Sequence, residues 1–215
     1  MRKFAFFLAA ASCWSGLSAP AIAAMPSVAA VYEAGRCMVQ RDRRAAAALI
    51  LALPLDGGVA DLSSLRAGGA RVCVAAAEGA STMLVRGAIA QALFLRDFRR
   101  FGRDPNPMTA FVNLNLPIEA SPSGPRTVEL YRWADCVVRN DSAGIERLLL
   151  SPVGAADEVG AIAALQTYMS ACMRAGTRLT VRASEVRSLF AQSAYFTMYR
   201  YWTGELESAG SRGRN

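Results

Sequence analysis

The chain is predicted to be all-α: two tandem pseudo-repeated helical units of about four helices each, each closed by one disulfide. Two sequence matches and one spacing carry that expectation. Val31-Tyr32-Glu33-Ala34-Gly35-Arg36-Cys37-Met38-Val39-Gln40-Arg41-Asp42 recurs 99 residues later as Leu130-Tyr131-Arg132-Trp133-Ala134-Asp135-Cys136-Val137-Val138-Arg139-Asn140-Asp141. The second cysteine keeps the same step, Cys73 mapping to Cys172, so the cysteines of each copy stand 36 residues apart. Within the copies, apolar residues recur at helical spacing.

Residues 1–23 have the form of a secretory signal peptide. Arg2 and Lys3 form the charged start, Phe4 to Ala11 the apolar stretch, and Ala21-Ile22-Ala23 the small-residue cleavage site. The mature chain is expected to begin at Ala24 or Met25. Two alternatives stand beside this. Ser12, Ser15 and Gly16 break the apolar run, against a retained span of about 18 apolar residues. Cys13 could be a lipidation site, but Ala10-Ala11-Ser12 lacks the leucine usual before such a cysteine. No transmembrane span is expected in the mature chain. The expected location is periplasmic or secreted, where disulfides persist.

Unit 1 is placed at 24–101 and unit 2 at 127–202. Ser27 and Thr127 are N-cap candidates for the first helices. Val31, Ala34 and Met38, and Leu130, Trp133 and Val137, give each helix an apolar face. Asp42 and Asp141 then cap second helices carrying Leu49-Ile50-Leu51 and Leu148-Leu149-Leu150, and Pro54 and Pro152 end them. In unit 2 the third helix carries Ile162, Leu165, Met169 and Cys172 on one stripe. In unit 1, Gly68-Gly69 interrupts, and Arg71-Val72-Cys73-Val74 alone resembles a strand. The match to unit 2 predicts helix there.

The fourth helices are aligned through Val85-Arg86-Gly87-Ala88 and Val181-Arg182-Ala183-Ser184, continuing to Leu93-Phe94 and Leu189-Phe190. This alignment has unit 2 losing three residues in the preceding turn. Trp133, Phe190, Tyr201 and Trp202 are expected to pack the units together. A Pro-rich linker, 102–126, joins the units, and 203–215 is a polar, glycine-containing flexible tail.

A unit of about 75 residues has a marginal core. Closing a 36-residue loop adds roughly 3–4 kcal/mol in the chain-entropy model. Four mature cysteines allow three pairings. Cys37–Cys73 with Cys136–Cys172 is preferred, because a duplicated unit most simply carries its own bridge. Cross-copy pairing remains the alternative.

Composition excludes many chemistries. The chain has no histidine, and its one lysine is Lys3. This removes Ser-His-Asp and Cys-His catalysis, the HExxH metal motif, Schiff-base chemistry and the phosphate-loop lysine. There is no CxxC pair, so neither a thioredoxin-type redox site nor a zinc knuckle is expected. No cofactor and no metal site are predicted. Arginine supplies every cation of the mature chain, a pattern that GC-rich codons explain as readily as selection for anion binding.

Carboxylates could still serve a glycoside hydrolase. Asp42 and Asp141 are matched between copies, but their place at helix starts assigns them to capping. Arg86 and Arg182 are the matched residues that scaffold explains least, and form the candidate binding pair. Arg96, Arg99, Arg100 and Arg103 lie among Phe94, Phe98 and Phe101, without a counterpart in unit 2. They are read as a solvated helix end, and nucleic acid is not an expected partner. The expected function is an exported, non-enzymatic helical protein with an interaction or envelope-associated role, its partner an unknown protein or envelope component. The alternatives are a small anion or lipid carrier using Arg86 and Arg182, and a carboxylate-dependent hydrolase of envelope glycan.

Overall fold

The structure is a computed structural model. It describes residues 25–51, 62–98, 124–174, 176 and 181–202, with backbone only for 124–126 and 201. The expected signal peptide, Pro54, Arg99, Arg100, Arg103, most of the linker and the tail lie outside the described residues.

Every regular element among the described residues is helical. The first five helices are α1 (Val28–Arg41), α2 (Arg43–Leu51), the short α3 (Ser63–Leu65), α4 (Arg71–Ala75) and α5 (Thr82–Asp97). Later in the chain come α6 (Gly124–Asn140), α7 (Ser142–Leu150), α8 (Ala156–Ala164), α9 (Gln166–Ala171) and α10 (Ala183–Trp202). No helix among the described residues is long and apolar enough to cross a membrane.

Side-chain caps set several helix starts. Ser27 Oγ accepts from Ala30 N at 3.2 Å, Asp42 Oδ1 from Ala45 N at 2.9 Å, and Asp141 Oδ1 from Gly144 N at 2.8 Å. Each satisfies a first-turn amide that the helix leaves unpaired. Ser81 does the same for Leu84 N at 3.3 Å, starting α5 at Thr82, earlier than Val85. Thr127 is not a cap, because α6 already starts at Gly124. Pro125 suits that first turn, where its missing N–H leaves no bond unmade. Pro152 follows α7, with Ser151 before it extended at φ −66°, ψ 146°, as a residue before proline prefers.

The stretch before Cys73 is helical, not a strand. A wide turn over Arg66–Ala70 joins α3 to α4, with Gly69 at φ +89°. That left-handed conformation is open to glycine at little cost, so the double glycine bends the segment without ending it. A break at Leu165 divides the helix predicted to carry Ile162, Leu165, Met169 and Cys172 into α8 and α9. Leu165 is fully buried, while Ile162, Met169 and Cys172 are half-buried.

The helices pack around α5, which lies against both α1 and α10; α10 also packs on α6. Two close approaches make this possible. A Cβ on Gly35 would sit 2.7 Å from Ala88 of α5, and a Cβ on Gly87 would sit 2.3 Å from Ser188 Cβ of α10. Val186 to Met198 is buried on all sides, including Ser188, Gln192, Ser193 and Thr197, as in a helix at the centre of a core.

Cys37 pairs with Cys73 and Cys136 with Cys172, at Cα–Cα separations of 5.7 and 5.8 Å. The first bridge ties α1 to the middle of α4, and the second ties α6 to the end of α9.

The expected aromatic seam holds only in part. Trp133 and Phe190 pack with ring centroids 5.2 Å apart, but both lie within residues 127–202, on α6 and α10. Trp202 is 45% exposed, because burial along α10 falls away from Tyr199 onward. The Tyr201 side chain lies outside the described residues.

Candidate functional site

The polar residues buried between α5 and α10 form one layer. Arg86, on α5, donates from Nη1 to Leu49 O at 2.7 Å and from Nη2 to Ile50 O at 3.0 Å. Those carbonyls end α2, where helix geometry leaves acceptors unpaired and the dipole favours a cation. Arg187, on α10, donates from Nη2 to Leu149 O at 3.2 Å and to Ser151 O at 2.8 Å. It closes the end of α7 as Arg86 closes the end of α2.

The two arginines also reach across to the opposite helix. Arg86 Nε donates to Gln192 Oε1 of α10 at 3.3 Å, and Arg187 Nε donates to Gln91 Oε1 of α5 at 2.8 Å. Tyr131 donates its hydroxyl to Gln192 Oε1 at 2.7 Å, and Tyr32 shares a 3.0 Å bond with Ser188 Oγ. The Arg187 guanidinium also lies over the Tyr32 ring, 5.3 Å from its centroid. Burial pulls the Arg86 guanidinium below its ordinary pKa, opposed by Tyr131. Burial likewise pushes the Tyr32 hydroxyl up to about 12.

Arg86 and Arg182 are therefore not brought together. Arg182 is exposed, and its backbone N–H takes Glu185 Oε2 at the start of α10. Arg187 makes with α7 the contact that Arg86 makes with α2. The signal for this was present in Val85-Arg86 followed by Ala90-Gln91, and Val186-Arg187 followed by Ala191-Gln192. The sequence alignment through Val181-Arg182 passed over it. Pairing Arg187 with Arg86 makes the stretch from Cys172 to Arg187 two residues longer than that from Cys73 to Arg86.

Beside this layer runs an open groove of about 440 Å³ between α1, α5 and the end of α7. Tyr32, Gln91, Ala29 and Ala92 lie in its lining, and Leu150 and Val153 line its α7 side. Gln91 has its carbonyl on Arg187 and its Nε2 on Leu149 O at 3.0 Å, so its orientation is fixed. Glu33 and Arg36, also in the lining, are ion-paired with each other on the exposed face of α1. Leu150 is 42% exposed.

Glu33 is the single carboxylate lining this groove, where glycoside hydrolysis requires two. Asp42 and Asp141 serve as caps. Among the described residues two carboxylates are buried, and each faces a cation: Asp135 accepts from Arg139 Nε at 3.0 Å, and Glu158 lies 3.2 Å from Arg187 Nη1. Among the described residues, no group of three or more cysteine, aspartate or glutamate side chains could hold a metal ion.

No family model matches this chain, and no curated protein and no solved structure matches it either.

Proposed function

We propose that this chain is an exported, non-enzymatic helical protein that receives a segment of an envelope or exported protein in the groove between α1, α5 and the end of α7. The observation that supports the reading is the chemical character of that groove. Polar groups in its lining are already bonded within the protein: Tyr32 to Ser188, Gln91 to Arg187 and Leu149, and Glu33 to Arg36. Its walls offer alanine, leucine, proline and valine, the surface that buries apolar side chains of a partner.

We further infer that the chain is a duplication, with α1–α5 and α6–α10 as related units. The reciprocal Arg86–Gln192 and Arg187–Gln91 bonds and the equal 36-residue spacing of the two bridges support this. The groove then lies where the units meet. Export accords with two disulfides, which persist in oxidising compartments, and with the charged-apolar-small pattern of residues 1–23.

The test is site-directed photo-crosslinking in cells secreting the full chain. A photoreactive residue at Ala29 should give a discrete protein adduct, and the same residue at Val159 on α8 should not. Ala92→Arg should abolish the Ala29 adduct while leaving the fold intact by circular dichroism. Equal adducts at both positions, or an adduct indifferent to Ala92→Arg, would exclude the groove. Fractionation and N-terminal sequencing check export: an uncleaved chain held in the cytoplasm would refute it.

A further inference from the structure

The two disulfides close loops of the same length but sit in different surroundings. Both span a sequence separation of 36, so the chain-entropy contribution to each is equal. In the first bridge Cys37 is half-buried and Cys73 is buried, at 4% exposure. Cys136 and Cys172 are both half-buried, and both line an open cavity of about 200 Å³.

Cations and donors surround the second bridge. Arg132 and Arg174 line the same cavity, with Trp133 and Met173 beside them. Both arginines bond Glu129 Oε1, at 2.7 and 3.1 Å, so the cluster keeps one net positive charge. Asn140 Nδ2 stands 3.5 Å from Cys136 Sγ and 3.8 Å from Cys172 Sγ. In the first bridge, Glu33 precedes Cys37 by four residues where Arg132 precedes Cys136. Arg41 takes the place of Asn140 there, and among the described residues it makes no hydrogen bond to either sulfur.

We propose that Cys136–Cys172 is a thiol-exchange site that takes a dithiol reductant, while Cys37–Cys73 is fixed scaffold. The reductant's thiolate attacks Cys172 Sγ from the open cavity. The S–S bond breaks and its electron pair leaves on Cys136 Sγ, which Asn140 N–H and the positive field of Arg132 stabilise as a thiolate. A better-stabilised leaving thiolate departs faster. The reductant's second thiol then attacks its own sulfur in the mixed disulfide, releasing Cys172. The two thiol protons of the reductant end on Cys136 and Cys172, and the reductant becomes a disulfide. Trp133 donates from Nε1 to Met169 O at 2.9 Å, so α9 keeps one tether when the bridge opens. This inference stands apart from the groove, and failure of either leaves the other untouched.

The experiment is timed reduction of the full oxidised chain with dithiothreitol, quenched by one alkylating agent and completed with a second. Peptide mass spectrometry then reads each cysteine. Cys136 and Cys172 should be labelled about tenfold faster or more than Cys37 and Cys73, a difference that leaving-group stabilisation and access together produce. Asn140→Leu should slow the second bridge several-fold and leave the first unchanged, so the first bridge is the internal control for folding. Arg174→Gln, at a side chain 60% exposed, should slow it in the same sense without threatening the fold. A thioredoxin-fold reductase lacking its second cysteine should be trapped on Cys172. Equal rates at the two bridges, a faster first bridge, or a trap on Cys136 would overturn the assignment.

Discussion

Arg187 donates from Nε to Gln91 Oε1 at 2.8 Å while closing the end of α7, and a second arginine and glutamine repeat that arrangement at Arg86 and Gln192. These side chains tie α5, α10, α2 and α7 into one polar layer. Arg187→Met should therefore be severe. It strands Glu158, whose side chain is only 9% exposed, and removing one partner of a buried pair costs about 3–5 kcal/mol. Arg187→Lys should rescue little, since an ammonium cannot reproduce the planar fork. Arg86→Met leaves two helix-end carbonyls without a donor, at about 1–3 kcal/mol. Arg182→Ala, on the surface, should fall within about 0.5 kcal/mol of the parent. Urea midpoints decide the order; an Arg182 variant as damaging as Arg187→Met would break the account.

Two glycines in helices should respond to alanine with opposite signs. Gly87 faces α10, and its new Cβ would meet Ser188 Cβ at 2.3 Å and Ser188 Cα at 2.5 Å. Backbone cannot yield as a flexible side-chain end can, so overpacking of about 1–3 kcal/mol exceeds the propensity gain of about 1 kcal/mol. Gly160 in α8 has nothing within 4 Å of the same point. Gly160→Ala should stabilise by about 0.5–1 kcal/mol. Thermal unfolding of both variants checks the signs, and a stabilised Gly87→Ala would show that α5 and α10 are not in close approach.

The parts of this fold legible in sequence were those written by local chemistry. Ser27, Asp42 and Asp141 cap helices because their side chains sit three residues before a free amide. The cysteine pairing followed from a spacing that occurs twice. The polar layer was not legible in the same way, because Arg86 and Arg187 are partnered by residues on a helix about 100 positions away and by backbone carbonyls. An alignment weighing apolar neighbours chose Arg182, which shares a preceding valine with Arg86 but lacks the glutamine five residues on. The groove was hidden for a related reason: it exists only where α1, α5 and the end of α7 converge, and no single stretch of chain records that convergence.

Deleting the two bridges separately should give nearly equal losses. Cys37→Ala with Cys73→Ala, and Cys136→Ala with Cys172→Ala, open loops of the same separation. Each should cost roughly 3–4 kcal/mol in the chain-entropy model. Urea unfolding measures the two values. A gap wider than about 2 kcal/mol would mean that native packing around one bridge, rather than loop closure, dominates its contribution. Non-reducing peptide mapping of the parent should join Cys37 to Cys73, and a Cys37–Cys136 peptide would contradict the pairing on which the comparison rests.

Stability should fall in alkali through buried tyrosines. Burial pushes Tyr32 and Tyr195 up to about 12, and raises Tyr131 against the opposing pull of Arg86. An unfolded tyrosine ionises near pH ~10. Below that pH both states hold the proton and the contribution is fully present. Between pH 10 and about 12 the unfolded chain releases protons that the folded chain keeps. Each such tyrosine then lowers stability by about 1.4 kcal/mol per pH unit as pH rises, until the folded form ionises too. Tyr32→Phe separates this effect from simple loss of contact. At pH 8 the variant loses the bond to Ser188, about 1 kcal/mol, yet its stability should decline less steeply above pH 10. Urea midpoints across that range, with tyrosinate absorbance followed at each pH, give the slope directly. An unchanged alkaline slope in Tyr32→Phe would mean that the Tyr32 hydroxyl reaches solvent and that the α1–α10 contact is looser than the 3.0 Å bond to Ser188 describes.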